Sequence, residues 1–181
     1  QFTYDKALTI NVNDVNEALT DIAITASSVD ENLASATTVG GLTTTDGDNG
    51  DSFTYTLVDG VGSDDNASFS ISGANLLTNT VLDYETKSSY NIRVQTSDGT
   101  DSYQKAFTIT VNDVNEAPTD IDLSATAVDE NLASGTVVGG LTTTDVDSGD
   151  THTYTLVSGT GSTDNASFSI SGANLLTNTV L

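Results

Sequence analysis

The stretch YNIRVQTSDGTDSYQKAFTITV, residues 90–111, decides the fold. Tyr90, Ile92 and Val94 alternate with polar residues, and Phe107, Ile109 and Val111 do the same. A period of two puts each apolar series on one face of an extended strand, because successive strand side chains point to opposite sides. SDGTD at 97–101 separates the two runs with residues that favour turns. The pattern continues upstream in Ile22 and Ile24, in Phe53, Tyr55 and Leu57, and in Phe69 and Ile71. GG at 40–41, DGDNGD at 46–51 and DGVGSDDN at 59–66 read as intervening turns. No segment shows a 3.6-residue apolar period with caps. The expectation is all-β, with roughly seven short strands per unit in a two-sheet Greek-key β-sandwich.

The unit repeats. Residues 1–82 align without gaps on residues 100–181, an offset of 99, with 61 identities in 82 pairs. VDENLAS at 29–35 recurs at 128–134, and SFSISGANLLTNTVL at 68–82 recurs at 167–181. The period predicts tandem seven-stranded sandwiches. Residues 1–17 read as the C-terminal strand of a preceding repeat, 18–116 as a complete repeat, and 117–181 as the N-terminal part of a following one. Residues 1–17 alone are too short to fold, and 117–181 lack the residues matching 83–99, so both are expected to need partner strands. Gln1 opens directly onto strand-like sequence, so the chain reads as an interior piece of something longer.

Charge narrows the function. The 181 residues hold 26 Asp plus Glu against 4 Lys plus Arg, a formal net charge of −22. Such a surface repels nucleic acid and anionic lipid, having no basic patch to neutralise phosphate. Two explanations remain: a solvated acidic chain, or carboxylates gathered to hold cations. Regular alternation in a sequence that is 36% hydrophobic favours a core over disorder. There is no cysteine, which excludes disulfides and thiolate metal sites while leaving secretion open. No apolar run approaches the roughly 20 residues of a membrane span.

The acidic residues have a pattern. Asp113 and Asn115, Asp83 and Glu85, and Asp46 and Asp48 each stand at i and i+2. In extended backbone such pairs lie on one side, roughly 6–7 Å apart, where their oxygens can converge on one cation. Glu116 follows Asn115 directly, so NDVNEAPTD at 112–120 offers oxygens on both faces, and NDVNEALTD at 13–21 echoes it. Like charges this close repel unless a cation joins them. All-oxygen ligands and a single histidine favour Ca2+ over zinc, copper or magnesium. The competing reading is plain turn formation, since Asp and Asn favour turns, and for DGDNGD alone the two readings balance.

In combination these segments resemble the cadherin repeat family. NDVNEAP is similar to the cadherin inter-repeat linker, LDYE at 82–85 to its Leu-Asp-Arg-Glu motif, and VDEN at 29–32 to its early Glu motif. DGD at 46–48 resembles the Asp-x-Asp motif, and QTSDG at 95–99 the closing Ala-x-Asp-x-Gly motif. The match runs in register along the whole chain. It departs in a linker one residue shorter, in Tyr84 at the Arg position, and in Leu19 where the second linker has Pro118. The composition is closer to cadherin-type repeats of large bacterial surface proteins than to animal receptors. The resemblance implies a cadherin/Ig-like sandwich and Ca2+ at two junctions. The second would use Glu31, Asp83 and Glu85, then Asp113, Asn115 and Glu116 of the linker, then Asp145 and Asp147. The first would use Asp14, Asn16 and Glu17 with Asp46, Asp48 and Asp98. Glu130 would serve a third junction outside this chain.

The expected function is a Ca2+-rigidified extender or adhesion module of an extracellular or cell-surface protein, partnered by neighbouring repeats, with no nucleic acid and no membrane insertion. The second reading is a repeat that itself binds a partner, either an identical repeat or a polysaccharide. A hydrolase ranks last. Its paired carboxylates lie at unit ends, with no tryptophan for sugar stacking. His152, the single histidine, stands where the preceding unit has Phe53, so a catalytic role is not expected. The sequons at Asn66 and Asn165 read as turns before strands.

Overall fold

A computed structural model describes every residue except Asp14 and Asn49. The chain divides into two compact units, Gln1–Val114 and Asn115–Leu181. In the first, eight strand segments are β1 (Asp21–Ile24), β2 (Ser28–Asp30), β3 (Thr38–Thr45), β4 (Thr54–Leu57), β5 (Phe69–Ser72), β6 (Asn75–Thr78), β7 (Ser89–Ser97) and β8 (Ser102–Asn112). They form two four-stranded sheets, ordered β1-β3-β6-β5 and β2-β8-β7-β4. The expected count of seven is met because β1 and β2 are one run divided between the sheets. β1 pairs antiparallel with β3, whereas β2 lies parallel to β8 in the other sheet.

Alternation builds the core as expected. β7 and β8 pair antiparallel from Ser89↔Thr110 to Ser97↔Ser102. Ile92, Val94 and Ile109 are fully buried and Val111 nearly so, packed with Ile22, Leu42, Phe69 and Leu76. Phe69 meets Tyr90 edge to face, with centroids 5.8 Å apart. Thr96, also fully buried, shares a hydrogen bond with Thr44 Oγ1 at 2.7 Å, and that hydroxyl reaches Tyr55 at 2.9 Å. The hydroxyl chain links β3 in one sheet to β4 and β7 in the other. Tyr84 packs against the same core, which explains a tyrosine at a position the resemblance gives to arginine.

One turn assignment fails. GG at 40–41 lies inside β3, at a register irregularity between Thr38 and Gly40 opposite β6. Glycine is there for close approach: a Cβ on Gly40 would stand 2.5 Å from Ala26 O and 2.8 Å from Ala26 N. On Gly41 the nearest atom would be 3.7 Å away. Gly40→Ala is therefore expected to destabilise the unit by about 1–3 kcal/mol in denaturant unfolding, with Gly41→Ala close to neutral. Gly139 repeats the contact in the second unit, 2.8 Å from Ala125. The β5–β6 turn uses glycine differently, for the left-handed φ of 60° at Gly73.

The second unit holds β9 (Asp120–Leu123), β10 (Val137–Thr144), β11 (Phe168–Ser171) and β12 (Asn174–Thr177). They form one sheet ordered β11-β12-β10-β9, the counterpart of β5-β6-β3-β1. TYTL at 153–156 is identical to β4 yet forms no strand, because β4 pairs with β7 and the chain has no second copy of β7. Ile121, Leu141, Tyr154, Leu156, Ile170 and Leu175 line a groove of about 380 Å³ there. The first residues show the same dependence. Tyr4, Leu8, Ile10 and Val12 match Tyr103, Phe107, Ile109 and Val111 of β8, but they are exposed and form no strand. The described residues of 1–17 thus carry the sequence of a final strand without its geometry. Among the described residues no helix is long and apolar enough to cross a membrane.

Candidate metal centre

Three of the carboxylates in the first unit come together on loops that follow strands. Asp46 follows β3, Asp51 lies five residues on, and Asp98 follows β7. Each contributes an oxygen, and the three oxygens lie within 4.8 Å of one another. Ligands at about 2.3–2.6 Å from a shared Ca2+ can stand up to about 5 Å apart, so this spacing is compatible with one ion. One oxygen of each anchoring side chain is held by backbone. Asp46 Oδ1 accepts from Gly47 N–H at 2.7 Å, and Asp98 Oδ1 accepts from Thr100 and Asp101 N–H, both at 2.7 Å. Their Oδ2 atoms are buried with no hydrogen-bond partner among the described residues. Burying a charged oxygen without a donor is costly, and a cation would offset that cost.

Backbone donors also fix the charge state. The N–H groups of Asp101 and Thr100 hold the Asp98 carboxyl below its ordinary pKa against the opposing effect of burial. Asp98 therefore remains ionised through the neutral range.

The linkers are tied to the same loops by one device in each unit. Glu17 N–H donates to Asp48 Oδ2 at 2.8 Å, and Glu116 N–H donates to Asp147 Oδ2 at 2.7 Å. Asn16 donates its amide to Glu17 O and to Asp101 Oδ2, both at 3.0 Å, and Asn115 donates to Glu116 O. In the second unit Asp145, Asp147 and Asp150 offer oxygens within 4.8 Å of one another, and the Asp145 side chain is 5% exposed. His152 Nε2 lies 3.8 Å from Asp145 Oδ2, beside the cluster.

Glu31 and Asp113 lie close enough to Glu85 in the first unit for their charges to act on it. Glu31 is 2% exposed, and its two oxygens accept from Tyr84 N–H at 2.7 Å and Val114 N–H at 2.8 Å. Glu85 is exposed, but desolvation, and then the charges of Glu31 and Asp113, raise its pKa. A raised carboxyl favours the folded state when protonated, and that contribution is lost as pH rises through the folded pKa. At pH 7 without calcium the charged Glu85 therefore opposes folding. Glu85→Gln is expected to melt no lower than wild type in chelator and lower than wild type in saturating calcium, by calorimetry at pH 7.

The remaining expected ligands divide. Asp83 points both oxygens at Thr86, accepting from its N–H at 2.9 Å and its hydroxyl at 3.0 Å, so it caps the turn that carries Glu85. Glu130 is exposed, and Asp14 lies outside the described residues. Asp51 and Asp150 were not expected. Their signal was the recurrence of Asp51 as Asp150 in a loop where Gly47, Asn49, Ser52 and Phe53 all change. The sequons are turns, as expected: Asn66 donates to Val58 O and accepts from Arg93 N–H, both at 2.9 Å, and Asn165 donates to Val157 O.

Comparison with known proteins extends this geometry. No protein-family model matches the chain. Human protocadherin-24 EC1-2 superposes with a TM-score of 0.70 at 23% identity, covering 92% of this chain and 80% of that one. The fold is cadherin-like. Mouse cadherin-23 EC22-24 aligns on this cadherin-like chain with a TM-score of 0.58 at 24% identity, over 89% of it and 55% of that structure. Extracellular cadherin domains 1–4 of protocadherin gamma B7 give 0.57 at 25% identity, over 91% and 43%. Among curated proteins, human Protocadherin Fat 4 is 31% identical over 125 residues, 67% of this chain. The chain spans only 2% of that protein's length.

Proposed function

We propose that the chain is a Ca2+-binding cadherin-like module, part of the extracellular region of a cell-surface or secreted adhesion protein, in which bound ions stiffen the links between successive repeats. The observation that carries this reading is that Asp46 and Asp98, clustered with Asp51, each have a buried Oδ2 without a hydrogen-bond partner among the described residues. Asp46, Asp48, Asp51 and Asp98 would hold an ion in the first unit, with Asn16 and Glu17 of the linker anchored next to them. Asn115, Glu116, Asp145, Asp147 and Asp150 would do so in the second, and Glu31, Glu85 and Asp113 contribute charge that an ion would neutralise. The ion supplies positive charge and a demand for six to eight oxygens.

The mechanism is linkage. An ion that binds only when linker and loop are correctly placed stabilises that placement by mass action. Extracellular calcium suffices for sites of modest affinity. The module is not an enzyme; its carboxylates serve as ligands. Partners under this reading are neighbouring repeats and, for the parent protein, a second adhesion molecule. The Thr/Ser/Asn/Asp-rich, cysteine-free composition suits a large bacterial surface protein. The test is thermal unfolding with calcium and with chelator, and equal melting temperatures would overturn the reading.

A further inference from the structure

We infer that residues 1–13 of one copy dock on the second unit of another copy, taking there the place that β8 holds in the first unit. Each 181-residue chain then gives one final strand and accepts one.

The segment has the side chains for that place. Residues 3–13 differ from β8 at Thr3, Asp5, Leu8 and Asn11 alone. On β8 the alternate residues Tyr103, Lys105, Phe107, Ile109 and Val111 are the more buried ones, and those between them are exposed. Their counterparts Tyr4, Leu8, Ile10 and Val12 are 88%, 77%, 85% and 93% exposed. A stripe of this kind gains free energy wherever a sheet covers it.

The second unit lacks the strand that the segment would supply. In the first unit β8 lies against β1, and Ile22 on β1 is fully buried. Its counterpart Ile121 on β9 is 60% exposed and lines the groove with Leu141. β2 pairs parallel with β8 at Val29↔Val111 and Asp30↔Asn112, whereas the matching residues 127–129 form no strand.

Charge selects the occupant. Lys105 Nζ reaches from β8 to Asp21 Oδ1 at 2.7 Å and to Ile22 O at 2.9 Å. Asn112 donates its amide to Asp30 Oδ1 at 2.8 Å. Lys6 and Asn13 stand in the same places on the segment, and Asp120 and Asp129 in the same places on the second unit. All four are exposed. On a chain of net charge −22, a lysine at this position also steers the segment toward an acidic surface. Donor and acceptor are different patches, so the contact is heterologous and runs head to tail. The place of β7 stays open, which puts the interface in the small, transient class.

The test is sedimentation velocity of the full chain over a wide concentration range, on wild type, Ile10→Asp, Lys6→Glu, Asp120→Lys and the double charge reversal. Chelator keeps divalent cations out, so the result is independent of the calcium reading. The substituted residues are exposed, so circular dichroism should not change. Wild type is expected to associate with a Kd between about 1 µM and 1 mM. Ile10→Asp should weaken association about tenfold or more, because a carboxylate replaces an apolar side chain under the sheet. Each single charge reversal should weaken it about threefold or more, and the double reversal should regain most of that loss. The chain has no cysteine, so cross-linking can read the register. Asn13→Cys chains mixed with Asp129→Cys chains should form mixed disulfide dimers in excess over either self-dimer, and Asp64→Cys in place of Asp129→Cys should not. A monomer at every concentration would overturn the inference, whether the segment stays free or folds back on its own chain. Association untouched by Ile10→Asp and by the charge reversals would overturn it too, as would equal cross-linking to positions 64 and 129.

Discussion

In calcium at a hundredfold excess over its dissociation constant, the chain is expected to melt roughly 10 °C or more above its melting temperature in chelator. One ion bound only by the folded state adds about 2.7 kcal/mol at that excess. Each kcal/mol moves the melting temperature of a single repeat of about 100 residues by about 4–8 °C. The calcium-free chain is the unfavourable state: it carries a net charge of −22, a buried oxygen without a hydrogen-bond partner among the described residues on each of Asp46 and Asp98, and a Glu85 carboxyl whose pKa is raised by desolvation and by Glu31 and Asp113. Sodium chloride at matched ionic strength separates screening from ligation, because it weakens surface repulsion without filling a site. Magnesium separates them again, since it demands tighter octahedral geometry. The double variant Asp113→Ala, Glu116→Ala should lose a large part of the calcium shift. An identical shift in wild type and variant would remove the linker from the mechanism, and no shift in either would remove calcium.

How much of this was legible in sequence depends on what each residue answers to. Ile92, Val94, Ile109 and Val111 answer to local alternation, and all four are buried where the period placed them. Gly40 answers to Ala26, fourteen positions earlier, on a neighbouring segment of backbone. No local pattern separates a glycine needed for close approach from one that turns the chain. TYTL makes the point most sharply, being strand β4 at 54–57 and no strand at 153–156. Alternation says which face would be buried, and only a partner strand makes the strand. The proposed metal ligands follow the same rule. Asp46, Asp48 and Asp98 were legible by motif, whereas Asp51 looked like a turn former until the fold brought it beside Asp98 across 47 positions of chain.

Glu31 separates structure from cation binding. It is a carboxylate in a 2%-exposed position, and its oxygens accept from Tyr84 N–H and Val114 N–H. These bonds join the end of β2 to the segment before β7 and to the residue that follows β8 by two, three places far apart in sequence. Glu31→Ala leaves both N–H groups without an acceptor, at about 1–3 kcal/mol each. The melting temperature is expected to fall by roughly 10 °C or more in chelator, at about 4–8 °C per kcal/mol. Glu31→Gln should fall as well, because its amide can present one acceptor to the two donors but turns an N–H toward the other. Asp48→Asn is the contrasting variant: it keeps an acceptor for Glu17 N–H and should change melting mainly in calcium. If Glu31 were only a ligand, its variants would match wild type in chelator and differ in calcium alone. A large loss in chelator, with the calcium increment partly retained, would show that the same carboxylate first holds the unit's end together and only then offers charge to an ion.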